Sequence, residues 1–227
     1  ILKIILNYKF NLKVVCLSID DFYKTSYERK KMAKLIHPLF STRGVPGTHD
    51  CKMLLNTIKT LLKKRFNFIK IPKFDKSRDN RLNKKYWKKI KIKPNIIIFE
   101  GWCVGAKHQT YKELKKPINI LEKKEDTKLT WRKKVNNELK TSYKKIYNLL
   151  DKKIYLKVPG FKYVLKWRLL QEKKLRNKSN GKSMTNEEIK RFIMFYERIT
   201  KNMVKNYKNN DFIILLDKKH KIKSIKF

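Results

Sequence analysis

Short apolar runs rich in β-branched residues alternate along the chain with longer segments in which apolar residues recur at helical spacing. The clearest runs cover residues 13–19 and 95–99, and each ends at a carboxylate. Continuous apolar runs of this length are typical of strands buried on both faces of a parallel sheet. Further strands are predicted near residues 68–71, 154–158 and 212–216.

Helical spacing predicts the intervening segments. Asp50 is a candidate N-cap for a helix that carries Leu54, Ile58 and Leu61. The box Thr185-Asn186-Glu187-Glu188 predicts another helix start. The remaining helices are expected at about residues 1–8, 26–36, 130–150 and 163–177.

Strands that alternate with helices predict an α/β fold, in which helices cover both faces of a mostly parallel sheet. With 227 residues, 41% hydrophobic residues and only six glycines and six prolines, the chain is expected to form a single domain over 1–227. Ligands of such sheets bind at the carboxyl ends of the strands. That rule brings Asp20, Asp21, Glu100 and Gly101 to one edge.

The chain is strongly basic, with 60 Lys and Arg against 19 Asp and Glu and a formal net charge of +41. The lysines are spread through nearly every segment, which favours a solvated surface over a dedicated nucleic-acid site. Weak, non-specific binding to polyanions is expected either way.

The three cysteines, Cys16, Cys51 and Cys103, are odd in number and lack metal-site spacing, which predicts free thiols in a reducing compartment. No apolar run approaches the roughly 20 residues needed to span a bilayer. The opening Ile1–Leu6 stretch lacks the cleavage site of a signal peptide. A cytoplasmic location is therefore expected.

Two strand ends carry candidate chemistry. Asp20 and Asp21 follow the first strand, although a plain turn or helix cap explains such a pair about as often as chemistry does. Glu100 precedes Gly101, where a backbone or ligand can approach closely. Carboxylates of this kind hold Mg²⁺ and orient the acceptor in phosphoryl transfer, while a helix cap is the alternative for Glu100.

The loop at residues 37–50 is the most distinctive stretch. Two glycines and Pro46 fix an irregular path, while Arg43, Thr48 and His49 supply polar groups suited to an anionic substrate.

Four strings then occur in order: SIDDFYKT at 18–25, RGVPGTHD at 43–50, PKFDKSRDNR at 72–81 and FEGWCVGAK at 99–107. They resemble successive signatures of the D-glycerate 3-kinase family, which is similar to uridine kinases and phosphoribulokinases. Residues 167–176, Met184 and 192–196 resemble the lid of the same family, so that a lid is expected at about 161–196. The likeness runs from about residue 11 to residue 196.

The resemblance implies an ATP- and Mg²⁺-dependent kinase that transfers the γ-phosphoryl group to a hydroxyl of D-glycerate. Asp20 matches the acid that polarises this hydroxyl, with Asp21 and Tyr23 in support. Glu100 matches the strand-end acid near the metal.

The carboxylate of the substrate would face Arg43 and His49, and Arg78 or Arg81 would assist from the next loop.

On the lid, Arg168, Glu172 and Arg176 are spaced four apart and share one helix face. The resemblance implies that the two arginines bind the triphosphate of the nucleotide. An exposed Arg-Glu-Arg row of ion pairs is the alternative.

The phosphate-binding string G-x-x-x-x-G-K-[ST] is not present in the 227 residues. Gly181-Lys182-Ser183 does not qualify, because Arg176 stands where the first glycine should be. The P-loop and a central strand are expected upstream of Ile1, and the 227-residue chain by itself is expected to be inactive.

Two alternatives remain at this point: a basic nucleic-acid-binding protein on a kinase-like scaffold, and a non-catalytic remnant. Acidic residues at the binding edge count against the first of these.

Overall fold

The computed structural model describes residues 1–178 and 184–227, with the backbone alone at 175–178 and 209. The helices are α1 Leu2–Phe10, α2 Ser26–Leu35, α3 Cys51–Leu62, α4 Tyr111–Lys115, α5 Ile120–Glu125, α6 Thr130–Glu138, α7 Lys144–Tyr147, α8 Phe161–Lys178 and α9 Asn186–Lys205. The strands are β1 Val14–Ser18, β2 Ile69–Ile71, β3 Phe74–Asp75, β4 Asn80–Arg81, β5 Lys88–Ile90, β6 Ile96–Glu100, β7 Ile154–Lys157, β8 Phe212–Leu216 and β9 Ile222–Lys226.

The chain forms two compact units, one of Ile1–Val104 with Lys133–Leu149 and the other of Gly105–Arg132 with Leu150–Phe227. Each unit contains a parallel strand pair and helices, so the predicted α/β class is confirmed. In the described ranges 1–178 and 184–227, the helices are too short or too polar to cross a membrane.

In the first unit, β1 and β6 pair in parallel from Val14 opposite Ile96 to Ser18 opposite Glu100. The predicted strand near residues 68–71 also forms, but β2 pairs antiparallel with β5 in a separate ribbon. The α3 helix begins where predicted, because the Asp50 carboxylate accepts the Met53 N–H at 3.0 Å.

The predicted long helix at 130–150 is interrupted. A π-helical turn at Leu139–Tyr143 separates α6 from α7. Such a turn inserts a residue and re-aims the side chains beyond it, and π turns occur frequently at functional sites. Here it ends on Tyr143, which is fully buried.

In the second unit, β8 pairs in parallel with β7 and antiparallel with β9, a strand that the sequence pattern did not predict. The α9 helix has the predicted capping box, in which Thr185 and Glu188 each accept the other's backbone N–H. A T-shaped contact between Trp131 and Phe195, with ring centres 5.8 Å apart, is part of the core.

A buried ion network also stabilises the second unit. The Glu122 carboxylate is completely buried and accepts from Arg198 Nε at 2.7 Å and Nη2 at 2.6 Å. Arg132 lies 3.3 Å from the same carboxylate and 2.9 Å from that of Asp126. Each charge is therefore paired where water cannot solvate it.

Candidate active site

The carboxyl ends of β1 and β6 meet at one edge, as predicted. Ser18 and Glu100 are register partners, and a 3-10 turn at Ile19–Phe22 carries Asp20 directly after β1. At Gly101, a Cβ atom would lie 2.2 Å from Cγ2 of Ile19. Only glycine permits this approach, so Gly101 fixes the spacing between the two strand ends.

The two carboxylate oxygens of Asp20 have different surroundings. Oδ2 accepts from Lys76 Nζ at 2.7 Å. Oδ1 is buried and has no hydrogen-bond partner in the described part of the chain. Because buried polar groups are normally satisfied, this oxygen is placed to receive a hydrogen bond from a ligand. Lys76 was not identified as a candidate from the sequence.

Asp21 faces the neighbouring loop. Its Oδ1 accepts the Phe74 N–H at 3.2 Å, and Oδ2 accepts from Lys73 at 3.3 Å. In this position Asp21 anchors the motif at residues 72–81 beside the strand ends.

Tyr23 and His49 form one stacked pair. An antiparallel bridge joins their backbones, and their rings lie 4.3 Å apart at 21°. His49 is buried, and burial lowers its pKa from 6.5 to about 3, although the Asp20 carboxylate opposes this shift. The imidazole is therefore neutral at physiological pH, and its Nε2 lacks a partner among the described residues.

Tyr143 holds the other side of His49. Its hydroxyl is hydrogen-bonded to His49 Nδ1 and accepts the Gly47 N–H at 3.1 Å. Gly47 has a φ of 101°, a conformation that favours glycine. Burial raises the pKa of Tyr143 well above its ordinary value, so the phenol stays protonated. Nothing in the helical spacing distinguished Tyr143 from an ordinary core residue.

Arg43 belongs to a cluster of three charges. Asp79 forms ion pairs with both Arg43 and Arg29, and both guanidinium groups lie over the Phe74 ring, at 5.7 and 5.8 Å. Arg29 is fully buried, and burial lowers its pKa while Asp79 opposes the change. Two positive charges and one negative charge leave the cluster with a net positive charge beside the loop at residues 37–50.

The two arginines of the 72–81 motif differ. Arg81 is largely buried; it donates to the Tyr23 carbonyl at 2.8 and 3.2 Å and lies 3.6 Å from the Asp50 carboxylate. Arg78 is exposed, and it lies 3.6 Å from Asp75. Arg81 therefore fixes the backbone around Tyr23, whereas Arg78 extends into solvent.

Glu100 is exposed at the end of β6. Within residues 1–178 and 184–227, no three His, Cys, Asp or Glu side chains form a group able to hold a metal by themselves. Mg²⁺ usually binds through one or two carboxylates together with substrate phosphates. Glu100 offers such a carboxylate, so its chemistry fits Mg²⁺ that arrives with a nucleotide.

On α8, Arg168 Nη2 lies 2.8 Å from the Glu172 carboxylate, and Nη1 donates to Gln171 at 2.8 Å. Glu172 in turn accepts the Met184 N–H at 2.9 Å. The predicted shared face is therefore present for Arg168 and Glu172, in the form of an ion pair. The side chain of Arg176, like the residues Gly181, Lys182 and Ser183, lies outside the described part.

All three cysteines are free, as predicted. Burial raises the pKa values of both Cys51 and Cys103 to about 12, which keeps these thiols protonated. Cys103 is a small apolar core residue, and Cys51 is half-buried.

The chain is similar to several kinases in sequence and in fold. No protein-family model matches the chain. The chain is 33% identical over 194 residues to the uncharacterized kinase mug58 of Schizosaccharomyces pombe, which covers 82% of this chain and 68% of that protein. It is 29% identical over 192 residues to the chloroplastic D-glycerate 3-kinase of Arabidopsis thaliana, which covers 81% of this chain and 40% of that protein.

A third relative is the probable ATP-dependent kinase TDA10 of Saccharomyces cerevisiae, with 30% identity over 194 residues that cover 79% of this chain and 62% of that protein. Among solved structures, the D-glycerate 3-kinase of Cryptococcus neoformans superposes with a TM-score of 0.82 at 22% identity, over 100% of this chain and 84% of that one. This likeness establishes a shared fold.

Proposed function

Because the chain belongs to the family of D-glycerate 3-kinase and related kinases, we propose that the protein transfers the γ-phosphoryl group of ATP to a hydroxyl of glycerate or a similar hydroxy acid. The relatives' names support ATP as the donor and a small acid as the acceptor.

The observation that carries this proposal is the unpartnered Oδ1 of Asp20 at the end of β1. A hydroxyl that donates to this oxygen is oriented for attack, and Asp20 accepts its proton as the new O–P bond forms. Phosphoryl transfer depends mainly on such positioning and on stabilisation of the phosphoryl charge.

The charge cluster around Asp79 supports an acidic substrate. Arg43 is about one-quarter exposed, and the second guanidinium beside Asp79 leaves net positive charge for a carboxylate. A guanidinium can bind a carboxylate through two parallel hydrogen bonds. We assign the substrate's carboxylate to Arg43.

The metal and nucleotide contacts are also part of the proposal. Glu100 would hold Mg²⁺, which supplies neutralisation of phosphate charge when it is bound. We assign Arg168 to the phosphates of ATP, where it would exchange its contact with Glu172 for a phosphate oxygen.

The test is formation of phosphoglycerate from D-glycerate with ATP and Mg²⁺. It compares the 227-residue chain with the same chain extended upstream by a family-type strand and P-loop, since no G-x-x-x-x-G-K-[ST] string occurs in the 227 residues. Asp20→Asn should abolish turnover in whichever form is active.

A matched control is Asp217→Asn, because this carboxylate accepts the backbone N–H groups of Lys219 and Lys221 in a surface turn. Turnover that survives in Asp20→Asn would refute the role of Asp20. No phosphorylation of any hydroxy acid by either form would refute the proposed activity.

A further inference from the structure

Two buried polar atoms of the first unit share one feature: Oδ1 of Asp20 and Nε2 of His49 both lack a hydrogen-bond partner among the described residues. The backbone links the two residues. Tyr23 follows Asp20 by three residues, bridges to His49 and stacks on its ring at 4.3 Å. The influence of the Asp20 carboxylate on the pKa of His49 agrees with this proximity.

The hydrogen bonds of Tyr143 determine what Nε2 can do. The Gly47 N–H occupies one lone pair of the Tyr143 oxygen, and the phenol keeps its single proton because burial raises its pKa. Two further groups contact this hydroxyl: His49 Nδ1 and the Cys51 thiol.

An imidazole nitrogen is a much stronger acceptor than a protonated thiol, so the Tyr143 proton goes to Nδ1 of His49. Burial keeps His49 neutral, and a neutral imidazole that accepts at Nδ1 carries its hydrogen on Nε2. Nε2 is thereby a buried donor, and the Asp20 carboxylate that influences the pKa of His49 carries a buried acceptor.

We propose that Tyr143 is a positioning residue of the acceptor site: it holds His49 in the Nε2-protonated tautomer, so that Nε2–H donates to the same substrate hydroxyl that donates to Asp20 Oδ1. The inference rests on the proposed function and deepens it. It assigns His49 to the reacting hydroxyl, where the family resemblance pointed to the carboxylate.

The chemistry of the two atoms selects this ligand group. A hydroxyl accepts and donates at once, so that it satisfies both Nε2–H and Oδ1. A carboxylate only accepts, and beside Asp20 it would meet a like charge. In the transfer step, the hydroxyl O–H bond breaks and its proton passes to Asp20, an O–P bond forms, and ADP leaves with the electron pair of the broken P–O bond. Nε2–H and Oδ1 together hold the hydroxyl so that its remaining lone pair faces the phosphorus.

The tautomer can be measured without any kinase assay. Long-range ¹H–¹⁵N correlation spectra of the protein distinguish the two neutral forms, and only four histidines contribute signals. The His49 signals are those lost in His49→Gln. We expect the Nε2–H form, unchanged between about pH 5 and 8. An Nδ1–H form, or a His49 that titrates in this range, would overturn the proposal.

Tyr143→Phe should remove the preference of His49 for the Nε2–H tautomer and give a mixture of tautomers or the Nδ1–H form. Tyr147→Phe is the matched control, because its hydroxyl donates to the Cys103 carbonyl at 2.6 Å and, among the described residues, makes no hydrogen bond to His49. We expect the control to lose stability similarly, measured by urea denaturation, but to keep the His49 tautomer. A tautomer that persists in Tyr143→Phe would contradict the role of Tyr143.

Kinetics give an independent readout. Tyr143→Phe should lower kcat about tenfold with little change in the KM for glycerate, since the donor acts on the reacting oxygen. His49→Gln, which keeps an N–H near the position of Nε2, should retain more activity than His49→Asn, which does not. Equal losses in these two variants would contradict the proposal. If no form phosphorylates glycerate, the proposed function fails, whereas the spectra still decide the tautomer.

Discussion

The ammonium nitrogen of Lys76 lies 2.7 Å from Oδ2 of Asp20, the carboxylate proposed to receive the acceptor's proton. The neighbouring carboxylate, Asp21, has its own lysine, Lys73, at 3.2 Å. The two lysines are equally exposed, at 62% and 60%. They therefore form a natural pair for separating a catalytic contact from a structural one.

We predict that Lys76→Met lowers kcat/KM for phosphorylation at least about tenfold, because the ammonium orients Asp20 and adds positive charge beside the transferred phosphoryl group. Lys73→Met should change kcat/KM less than about threefold, since exposed ion pairs contribute little. Steady-state kinetics of both variants provide the measurement. Equal effects would show that Lys76 has no special role.

Burial of His49 predicts a loss of stability in acid. Its pKa is lowered to about 3 in the folded protein, whereas the unfolded chain has the ordinary 6.5. The stabilisation is present above pH 6.5 and is lost as pH falls toward 3, because only the unfolded state binds the proton. Between pH 7 and 5 this costs about 2 kcal/mol of unfolding free energy.

Urea denaturation at these two pH values should show the loss in the native sequence and not in His49→Gln. The variant His108→Gln removes an exposed histidine and should behave like the native sequence. A pH dependence that remains in His49→Gln would assign it to other groups.

Local patterns were enough to predict much of the fold. Strands β1 and β6 are continuous apolar runs. In α3 and α9, the capping side chain accepts a backbone N–H three residues further along the chain. The signals for these four elements therefore lie within a few residues of sequence. The antiparallel edge strand β9 was missed because every residue in it is exposed and charges interrupt its pattern. The β2–β5 ribbon has three residues a side and depends on pairing across a loop, which periodicity cannot reveal.

The candidate site likewise contains some residues that have a local signal in the sequence and others that have none. Asp20 and Glu100 were chosen as candidates because each follows an apolar strand. Lys76, Asp79 and Tyr143 were missed because their contacts join residues 56, 36 and 94 positions apart in sequence. Such contacts depend on how the loops fold back on the strand ends, and a single sequence carries no local signal of this.

The buried network of the second unit predicts unequal effects for two acids on α5. Glu122→Gln should lower the unfolding free energy by about 3 kcal/mol, since it leaves Arg132 and Arg198 buried without their shared charge. Glu125→Gln removes an exposed pair with Arg191 and should cost less than about 1 kcal/mol. Urea denaturation compares the two, and similar costs would contradict the stabilising role of the network.

The net charge of +41 predicts weak binding to nucleic acids without sequence preference. Such binding follows counterion release, so affinity for a random single strand of about 20 nucleotides should fall by about 10³ or more between 50 and 200 mM salt. Fluorescence anisotropy measures this dependence. Tight, sequence-selective binding at physiological salt would instead favour a nucleic-acid-binding protein.

At Gly101, a new Cβ would lie 2.2 Å from Cγ2 of Ile19 and 3.2 Å from Cγ2 of Val104. Gly101→Ala should therefore cost about 1–3 kcal/mol of stability, the usual range for an overpacked core. It should also lower activity by more than this loss of folded protein explains, because Ile19 directly precedes Asp20 and its displacement moves the carboxylate. Gly160→Ala is the control, since no heavy atom of the described residues beyond its chain neighbours lies within 4 Å of its Cβ position.

A double-mutant cycle separates this clash from a general effect of alanine. Ile19→Ala removes the side chain that Gly101→Ala would strike, at the expense of a cavity in the core. If the clash is the cause, the double variant should be less destabilised than the sum of the two single variants, by about 1 kcal/mol or more. Strictly additive costs would mean that the two residues do not interact as the structure indicates, and the spacing between the strand ends would then need another explanation.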